Sequence, residues 1–314
     1  MMIGFPASTK STKARTLVNE STQILSRDSE GGTVAALLPK VDTLLKAGTS
    51  VILDNTNLSV ESRKPFLECA AKYSVPVKAL YMKTTIEDCQ VRALHRMYAK
   101  VGTIHMTAAA CSKTKDPNIF PVAALYAARK AFQEPTLAEG FASIEIIKVP
   151  TPTWAPDYHG KALFLDIDGT VRHTEHLEHK YPTKPEEVTL LHDTELMRVK
   201  IESYRKQGYR LFGVSNQSGI AKKVLTEQEA KDCFAKTREL LGYTEEEFPI
   251  LYCPHSPVPI TCYCRKPGSG LAQLMIETHH LNPLECVMVG DRKTDETMAK
   301  RLGMSYISVE KFWV

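Results

Sequence analysis

The 314-residue sequence has no run of eighteen apolar residues, and its N-terminus lacks the basic, then apolar, then small-residue order of a signal peptide. The first absence argues against a membrane-spanning helix and the second against secretion. No internal repeat or low-complexity tract is present, which argues against a repeat architecture. Because its eight cysteines come without a signal peptide, reduced thiols are favoured, and we expect a cytoplasmic or nuclear protein.

The chain is long enough for two domains, and its 43% hydrophobic and 24% charged residues are ordinary globular values. The segment VPTPTWAPDYHG, 149–160, contains three prolines and no periodicity, which is typical of a linker. On both sides, short β-branched apolar runs alternate with longer amphipathic segments. This alternation predicts an α/β protein with two doubly wound parallel-sheet domains, 1–152 and 153–314.

The second half contains paired carboxylates at the end of a predicted strand. ALFLDIDGT places Asp166 and Asp168 two residues apart, so both side chains leave an extended chain on the same face. Gly169 then allows the chain to turn. Two such carboxylates can divide the work of phosphate ester cleavage, because one attacks phosphorus and the other protonates the leaving oxygen.

Three further segments of this half carry polar residues suited to a phosphate site. YRLFGVSNQSG ends in the small donors Ser215 and Asn216, and CRKPGSG supplies the positive charge of Lys266. VMVGDRKTD ends a strand with Asp291 and Asp295, carboxylates of the kind that hold Mg²⁺.

Taken in this order, the four segments resemble the haloacid dehalogenase (HAD) superfamily of phosphohydrolases over about residues 160–310. The resemblance implies that Asp166 is the nucleophile and that Asp168 acts as general acid and then as general base. It implies that Asp295 supports the metal shell or Lys266 instead of contacting the ion. The implied Mg²⁺ ligands are Asp166, the backbone carbonyl of Asp168, and Asp291, and Ser215 and Lys266 would bind the phosphate. Asn216 and Arg265 are further candidates for phosphate binding.

The segment YCPHSPVPITCYCRKP spaces Cys253, His255, Cys262 and Cys264 as C-x-H-x₆-C-x-C. Three sulfurs and an imidazole suit a tetrahedral structural Zn²⁺ site. The alternative is a group of buried free thiols beside an unrelated histidine. The pattern is similar to the zinc-bearing HAD phosphatases of heptose bisphosphate and histidinol phosphate. A zinc ion here would hold the loop that leads into Arg265 and Lys266, and it would direct Arg265 towards the substrate.

The segment RHTEHLEH contains His173, His176 and His179. We interpret these histidines as part of a solvated loop or helix near the active-site mouth, because their spacing matches no metal-ligand pattern.

The first half opens with GFPASTKST, which has the form of a phosphate-binding loop, G-x-x-x-x-G-K-[ST]. Gly4, Lys10 and Ser11 occupy the first-glycine, lysine and Mg²⁺-binding positions of that pattern, and Thr12 follows. Ala7 and Thr9 stand where glycine is usual, and glycine is usual there because the backbone needs a positive φ or close approach. Only three residues precede the loop, where a strand of five or six is expected.

Polar residues further along the first half accompany this loop. They are Asp28 in ILSRDSEGG, Asp54 and Arg63 in VILDNTNLSVESR, and Arg92 and Arg96 in VRALHRM. The two arginines are four residues apart and therefore share one face of a predicted helix.

GFPxxxKST, SRD, LDNTN, the arginine helix and FQEPTLAEGF together resemble the kinase domain of the polynucleotide kinase/phosphatase family over about residues 1–150. The resemblance implies ATP as phosphoryl donor and a 5′-hydroxyl nucleic acid end as acceptor. It implies Asp28 as general base, and Arg92 or Arg96 as a lid arginine that stabilises the transferred charge. Gly4, Lys10, Ser11 and Thr12 would bind ATP, with Ser11 on Mg²⁺, and Asp54 and Arg63 would bind the acceptor.

The sequence therefore predicts a bifunctional enzyme that phosphorylates 5′-hydroxyl ends and removes 3′-phosphates through an aspartyl-phosphate. Its expected cofactors are Mg²⁺ and structural Zn²⁺, with ATP as substrate. Its expected partners are DNA or RNA strand breaks and repair proteins such as a ligase. One alternative is a phosphatase of small phosphometabolites with an inactive kinase-like domain, and another is a non-catalytic module that binds nucleic acid ends.

Overall fold

The structure, a computed structural model, describes residues 1–175 and 177–314. Two compact units are present, one formed by residues 1–93 with 115–152 and the other by residues 94–114 with 153–314. The predicted first domain includes residues 94–114, so the structure differs from the prediction over this segment. The difference arises because the backbone at Met106 and Thr107 pairs with the chain at Cys262 and Tyr263. Of the helices within the described residues, none is both long and apolar enough to cross a bilayer.

The first unit is built on short parallel strands. They are β1 (Met2–Ile3), β2 (Thr22–Leu25), β3 (Ser50–Leu53), β4 (Lys78–Lys83) and β5 (Ser143–Lys148). The helices up to residue 152 are α1 (Lys10–Arg15), α2 (Arg27–Glu30), α3 (Leu38–Lys46), α4 (Val60–Lys72), α5 (Ile86–Val101), α6 (Ala108–Ser112) and α7 (Val122–Ala131). The segment 94–114, with the end of α5 and all of α6, groups with the second unit.

The strands of the first unit form one parallel sheet in the order β1-β4-β5 and a separate parallel pair, β2-β3. The alternation of elements predicts a single sheet here. The division arises because β1 has only two residues before the chain turns at Gly4. Two hydrogen bonds join this end of β1 to the chain after β3: the Gly4 N–H donates to the Thr56 carbonyl (3.0 Å), and the Asn57 side chain donates to the Met2 carbonyl (2.7 Å).

Helices α3 and α4 pack on the β2-β3 pair through apolar residues at helical spacing. Val41 and Leu45 lie one turn apart on α3 and are buried with Phe66 of α4. Helix α4 begins with a capping box in which the Ser59 and Ser62 side chains bond each other's backbone N–H groups.

The second unit contains one parallel sheet in the order β10-β9-β6-β7-β8. Its strands are β6 (Lys161–Leu165), β7 (Tyr209–Asn216), β8 (Ile250–Cys253), β9 (Val287–Gly290) and β10 (Ser305–Ser308). Its remaining helices are α8 (Thr194–Arg205), α9 (Ser218–Ala221), α10 (Glu227–Leu241), α11 (Gly270–His279), α12 (Lys293–Leu302) and α13 (Val309–Phe312). The prediction of an α/β protein with a parallel-sheet domain in each half is confirmed.

The central strand β6 reads as a continuous apolar run because both of its faces are covered, and Ala162, Phe164 and Leu165 are all fully buried. Leu165 pairs with Gly213 of β7 on one side and with Val289 of β9 on the other. Parallel pairing brings the carboxyl ends of these three strands to the same edge of the sheet. The polar residues that end or follow these strands therefore converge.

Candidate active sites

Asp166 and Lys266 meet at this edge in a buried ion pair. Lys266 Nζ lies 2.5 Å from Asp166 Oδ1 and 2.8 Å from Asp295 Oδ1, and it donates to the Val214 carbonyl at 2.6 Å. All three charged side chains are at most 7% exposed. The lysine thus lies beside the carboxylate that the sequence singled out as a nucleophile, where it can offset the negative charge of a phosphoryl group.

The acidity of this pair is shifted by burial and by neighbouring charge. Burial raises the pKa of Asp166 to about 8, and Asp295 and Asp291 act in the same direction against Lys266. For Lys266, burial opposes the charged form, but the carboxylates of Asp166 and Asp295 outweigh it and raise the pKa above its ordinary value. A divalent cation next to Asp166 would favour the ionised carboxylate, which is the form that attacks phosphorus.

The carboxylate of Asp168 is hydrogen-bonded by two residues that the sequence did not identify as part of the site. Arg172 Nε donates to Asp168 Oδ1 at 2.8 Å, and Gln217 Nε2 donates to Asp168 Oδ2 at 2.7 Å. Arg172 is 1% exposed and Gln217 is 2% exposed. Arg172 stands four residues after Asp168, a spacing that was visible in the sequence. Gln217 lies within SNQSG, but no local signal connects it to a residue 49 positions earlier.

Ser215 and Asn216 lie at the end of β7, in the same edge. Ser215 Oγ lies 3.3 Å from Asp168 Oδ2 and also accepts a hydrogen bond from Gln217 Nε2 at 2.8 Å. Asn216 makes two reciprocal bonds with the Lys266 backbone, one to its carbonyl (3.1 Å) and one from its N–H (3.0 Å). The predicted phosphate-binding residues therefore surround Asp168 and Lys266, and Asn216 positions the lysine.

Asp291 and Asp295 follow β9, and one carboxylate oxygen from each lies within 4.8 Å of one from Asp166. Asp295 also caps α12 by accepting from the Arg292 N–H at 3.1 Å, and it contacts Lys266, which leaves Asp166 and Asp291 facing the space for an ion. A Cβ on Gly169 would lie 2.5 Å from Asp291 Oδ2, so this space depends on glycine. Hard oxygen donors around a glycine cradle fit Mg²⁺.

Cys253, His255, Cys262 and Cys264 converge on one point. The Sγ atoms of Cys253 and Cys262 are 3.7 Å apart, and His255 Nδ1 lies 3.4 Å from Cys253 Sγ and 3.2 Å from Cys264 Sγ. Sulfurs about 2.3 Å from a tetrahedral zinc ion would be separated by about 3.8 Å. The set fits Zn²⁺ and disfavours the alternative of unrelated thiols. Hydrogen bonding among the three thiols lowers the pKa of Cys262 and raises the pKa of Cys253 and of Cys264, so Cys262 is the thiol of the set that ionises most readily.

Arg265 follows this cluster, and its Nη1 donates to the His255 carbonyl at 3.4 Å, within the cysteine loop itself. His173 lies next to the Asp168–Arg172 turn and its N–H donates to the Thr189 carbonyl at 2.9 Å. His179 stacks on Tyr181 with ring centroids 6.1 Å apart. His176 lies outside the described residues. Within those residues neither His173 nor His179 joins a cluster of metal-ligand atoms.

In the first unit, the loop from Gly4 wraps around the Lys10 side chain. Lys10 is 8% exposed, and its Nζ donates to the Phe5 carbonyl at 2.6 Å. Ala7 has φ 59° and Thr9 has φ 63°, both in the left-handed region. The two positions where the sequence departs from glycine are therefore positions where the backbone adopts a conformation that glycine favours. Ser11 and Thr12 lie exposed in the first turn of α1.

Asp28 and Asp54 follow two paired strands. Because Leu25 pairs with Leu53, the ends of β2 and β3 lie at one edge. The Arg27 N–H donates to Asn55 Oδ1 at 3.0 Å and joins the two strand ends. Asp28 is half-exposed in α2, whereas Asp54 is 8% exposed. The structure therefore places one accessible and one buried carboxylate at this edge.

Arg63 requires a correction to the predicted role in acceptor binding. Its side chain is fully buried and makes a bidentate ion pair with Glu139, and Nη1 donates to the carbonyls of Asn57 (3.1 Å) and Gln133 (3.0 Å). Gln133 also accepts from the Val60 N–H at 2.8 Å. Burial and these bonds make Arg63 a fold-stabilising residue. They also give a structural role to Gln133 and Glu139, two residues of FQEPTLAEGF that local propensity does not require.

Arg92 and Arg96 both lie on α5 but fall in different units. Arg92 donates to Thr84 Oγ1 at 3.3 Å and to the Pro150 carbonyl. Arg96 lies in the segment 94–114, which groups with the second unit.

Comparisons with known proteins match the two halves of the chain separately. The family profile described as an AAA domain matches residues 1–116, and the profile described as HAD-hydrolase-like matches residues 263–311. A D-glycero-beta-D-manno-heptose-1,7-bisphosphate 7-phosphatase from Haemophilus ducreyi is 30% identical over 155 residues, covering 46% of this chain and 79% of that protein.

The bifunctional polynucleotide phosphatase/kinase of Schizosaccharomyces pombe is 26% identical over 146 residues, which cover 46% of this chain and 32% of that protein. Among solved structures, D,D-heptose 1.7-bisphosphate phosphatase from B. bronchiseptica complexed with magnesium and phosphate has a TM-score of 0.39 at 22% identity. That alignment covers 47% of this chain and 78% of the other.

Proposed function

Through its second half this chain belongs to the HAD-like phosphatase family, and from that membership we propose that the protein is a bifunctional enzyme that heals nucleic acid ends. Its first unit phosphorylates a 5′-hydroxyl end with ATP, and its second unit removes a 3′-phosphate. The observation that carries the proposal is the presence in one chain of a lysine-bearing phosphate loop and a nucleophilic aspartate site. Adding and removing phosphate at the same position would be futile, whereas at opposite ends of a broken strand both reactions prepare ends that a ligase can join.

For the phosphatase, the proposed reaction begins when an Asp166 carboxylate oxygen attacks phosphorus and the bond to the 3′-oxygen breaks. Asp168 protonates the leaving 3′-oxygen, and an aspartyl-phosphate forms on Asp166. Asp168 then takes a proton from water, the water oxygen attacks phosphorus, and inorganic phosphate leaves with the Asp166 carboxylate restored.

The surrounding residues orient these steps. Lys266 lies beside Asp166 and offsets phosphoryl charge, while Arg172 and Gln217 hold the two oxygens of Asp168 in place. Asp166, Asp291 and the Asp168 carbonyl would hold Mg²⁺, which when bound shields the charge on the phosphoryl oxygens. The Cys253, His255, Cys262 and Cys264 set would hold a zinc ion as a scaffold for the loop that ends in Lys266.

For the kinase, Lys10 would exchange its bond to the Phe5 carbonyl for bonds to ATP phosphate oxygens. Ser11 would hold Mg²⁺, and Gly4 and Thr12 would complete the loop around the phosphates. Asp28, at the accessible end of β2, would take the proton of the 5′-hydroxyl while Asp54 orients it. Of the two candidate arginines, Arg92 groups with the first unit and would stabilise the transferred charge.

A second function is favoured by a specific observation, the 30% identity to a heptose bisphosphatase. On this alternative the second unit hydrolyses a small sugar phosphate or histidinol phosphate, and the first unit is inactive because Ala7 and Thr9 strain its loop. Partners on the end-healing proposal are DNA or RNA strand breaks and repair proteins such as a ligase, in the cytoplasm or nucleus.

One assay separates the alternatives. Phosphate release from a 3′-phosphorylated oligonucleotide is compared with release from sugar phosphates and histidinol phosphate, with Asp166→Asn as the inactive control. In parallel, label transfer from γ-labelled ATP to a 5′-hydroxyl oligonucleotide is measured against Lys10→Ala. A preference for the small phosphates would remove the end-healing proposal, and transfer no greater than that of Lys10→Ala would remove the kinase.

A further inference from the structure

The segment 94–114 lies between the first-half motifs in sequence, yet it packs within the phosphatase unit. His95 Nδ1 lies 3.0 Å from Glu277 Oε1 on α11, and Glu277 is 1% exposed. Tyr158 Oη donates to the other oxygen of the same carboxylate at 2.5 Å. The segment is thus anchored to the helix that directly follows the Lys266 loop.

A second contact reaches the cysteine loop itself. Thr107 forms an antiparallel bridge with Cys262, and the Tyr263 N–H donates to the Met106 carbonyl at 2.9 Å. The Met106 side chain fills the space over Gly270, since a Cβ at Gly270 would lie 2.9 Å from Met106 Sδ. Met106 therefore contacts this loop through both its backbone and its side chain.

Tyr263, which Met106 contacts, lies three residues before Lys266. The chain from Tyr263 to Gly270 forms a tight loop, because the Gly270 N–H donates to the Tyr263 carbonyl (3.0 Å) and the Gly268 N–H donates to the Arg265 carbonyl (2.6 Å). Arg301 Nη1 bonds the Pro267 carbonyl at 2.7 Å from another side. In a loop this tight, a displacement at Tyr263 is transmitted to the Lys266 backbone, and from there to an ammonium group 2.5 Å from Asp166.

We propose that Met106 is a positioning residue for the phosphatase: with Thr107 it holds the backbone at Cys262 and Tyr263 so that Lys266 stays beside Asp166. The phosphatase site thereby includes a segment that interrupts the kinase-like part of the sequence. This inference rests on the phosphatase half of the proposed function and not on the identity of the phosphorylated substrate.

The test uses the full chain with Met106→Ala, the volume-conserving Met106→Leu, and Met197→Ala as a matched control. Met197 is a fully buried methionine of α8 in the main core of the same unit. Two quantities are measured well below the unfolding midpoint: amide hydrogen exchange at Tyr263, and kcat and KM for p-nitrophenyl phosphate. Met106→Ala should accelerate Tyr263 exchange and lower kcat/KM by roughly tenfold, because small displacements of catalytic groups cost rate steeply.

Met106→Leu should keep both quantities within about twofold of the wild type, because volume-conserving apolar replacements are well tolerated. Met197→Ala should lower the unfolding midpoint and move neither quantity. Unchanged Tyr263 exchange in Met106→Ala, or faster exchange with unchanged kcat/KM, would overturn the inference. A wild-type protein that hydrolyses no phosphomonoester would overturn the proposed phosphatase function and with it the positioning role. Tyr263 exchange in Met106→Ala would then still report whether Met106 holds the loop, so the two failures are distinguishable.

Discussion

The guanidinium of Arg63 meets the carboxylate of Glu139 edge to edge, with Nε 2.7 Å from Oε2 and Nη2 2.8 Å from Oε1. The two residues are 76 positions apart, and Arg63 is fully buried. The pair therefore joins the start of α4 to the chain just before β5, and its energetics are those of a buried charge pair.

Removing one partner of this pair should be strongly destabilising. We expect Arg63→Met to lower the free energy of unfolding by about 3–5 kcal/mol, because Glu139 would be left buried and unpaired. Arg63→Met combined with Glu139→Leu should recover much of that loss. Urea unfolding of the three proteins measures the effect. A raised KM for the 5′-hydroxyl acceptor at unchanged stability would instead restore Arg63 to the acceptor site.

The turn after Asp168 should tolerate no side chain at Gly169. In Gly169→Ala the new Cβ would lie 2.5 Å from Asp291 Oδ2 at φ +88°. We therefore expect phosphatase activity to fall by roughly 100-fold, because a proposed Mg²⁺ ligand is displaced. Gly208→Ala is the matched control, since Gly208 has φ +89° with no atom within 4 Å of its added Cβ. Equal losses in both variants would attribute the effect to backbone strain and not to Asp291.

The phosphate loop should gain from glycine at its two left-handed positions. A left-handed conformation costs an L-residue roughly 1–2 kcal/mol, and glycine avoids this cost. We therefore expect Ala7→Gly and Thr9→Gly each to raise label transfer to a 5′-hydroxyl oligonucleotide. Ser74→Gly relieves a similar φ of 54° at the end of α4 and should leave kinase turnover unchanged. If all three variants raise turnover equally, general stability and not the loop limits the reaction.

The cysteine cluster should retain about one zinc ion per chain after dialysis. Cys262→Ser combined with Cys264→Ser should lose that metal, because only Cys253 and His255 would remain, and activity should fall as the Lys266 loop loosens. Elemental analysis with Cys69→Ser as control measures this, since Cys69 lies in the first unit beside Asp42. Retention of zinc by the double variant would show that the ion binds elsewhere.

The His95–Glu277 contact should make the stability of the second unit depend on pH. The hydrogen bond to Glu277 raises the pKa of His95 above its ordinary value, against partial desolvation. The resulting stabilisation is fully present below the ordinary histidine pKa of about 6.5 and is lost as pH rises through the raised pKa of the folded state. The effect should be modest because the His95 side chain is 49% exposed.

Urea midpoints followed by tryptophan fluorescence between about pH 5.5 and 8.5 measure this dependence. Trp154 reports on it directly, with its ring 5.9 Å from that of His95. His95→Gln should remove this part of the pH dependence. A profile identical to the wild type would assign the slope to other groups.

The convergence of Asp166, Ser215, Lys266 and Asp291 could be anticipated without coordinates. Asp166, Ser215 and Asp291 each end or follow a short apolar run, and parallel strands bring their carboxyl ends together. Lys266 was found by its place in the motif order and not by a strand end. The need for a left-handed backbone at Ala7 and Thr9 was likewise predictable, because it follows from a local loop pattern.

Other features had no local signal. Arg63 carried the same charge as a ligand-binding arginine, and only its burial against Glu139 assigns it to the fold. Gln217 hydrogen-bonds Asp168, and Met106 packs on Gly270. Both pairs are too far apart in sequence for a helix or strand period to reveal the contact. The alternation of elements also predicted one sheet in the first half, whereas β1 has only two residues and the strands form two separate sheets.

The kinds of chemistry predicted for this protein, with carboxylates for phosphoryl transfer and sulfur for zinc, follow from residue type and short spacing. Both are properties of neighbouring positions in the chain. Some charged side chains pair within the fold and others stay available to bind a substrate. Which is which depends on residues that are distant in sequence and come within 3 Å of each other in space. Burial and Coulomb interactions act through those distances in space, and folding of the whole chain is what sets them.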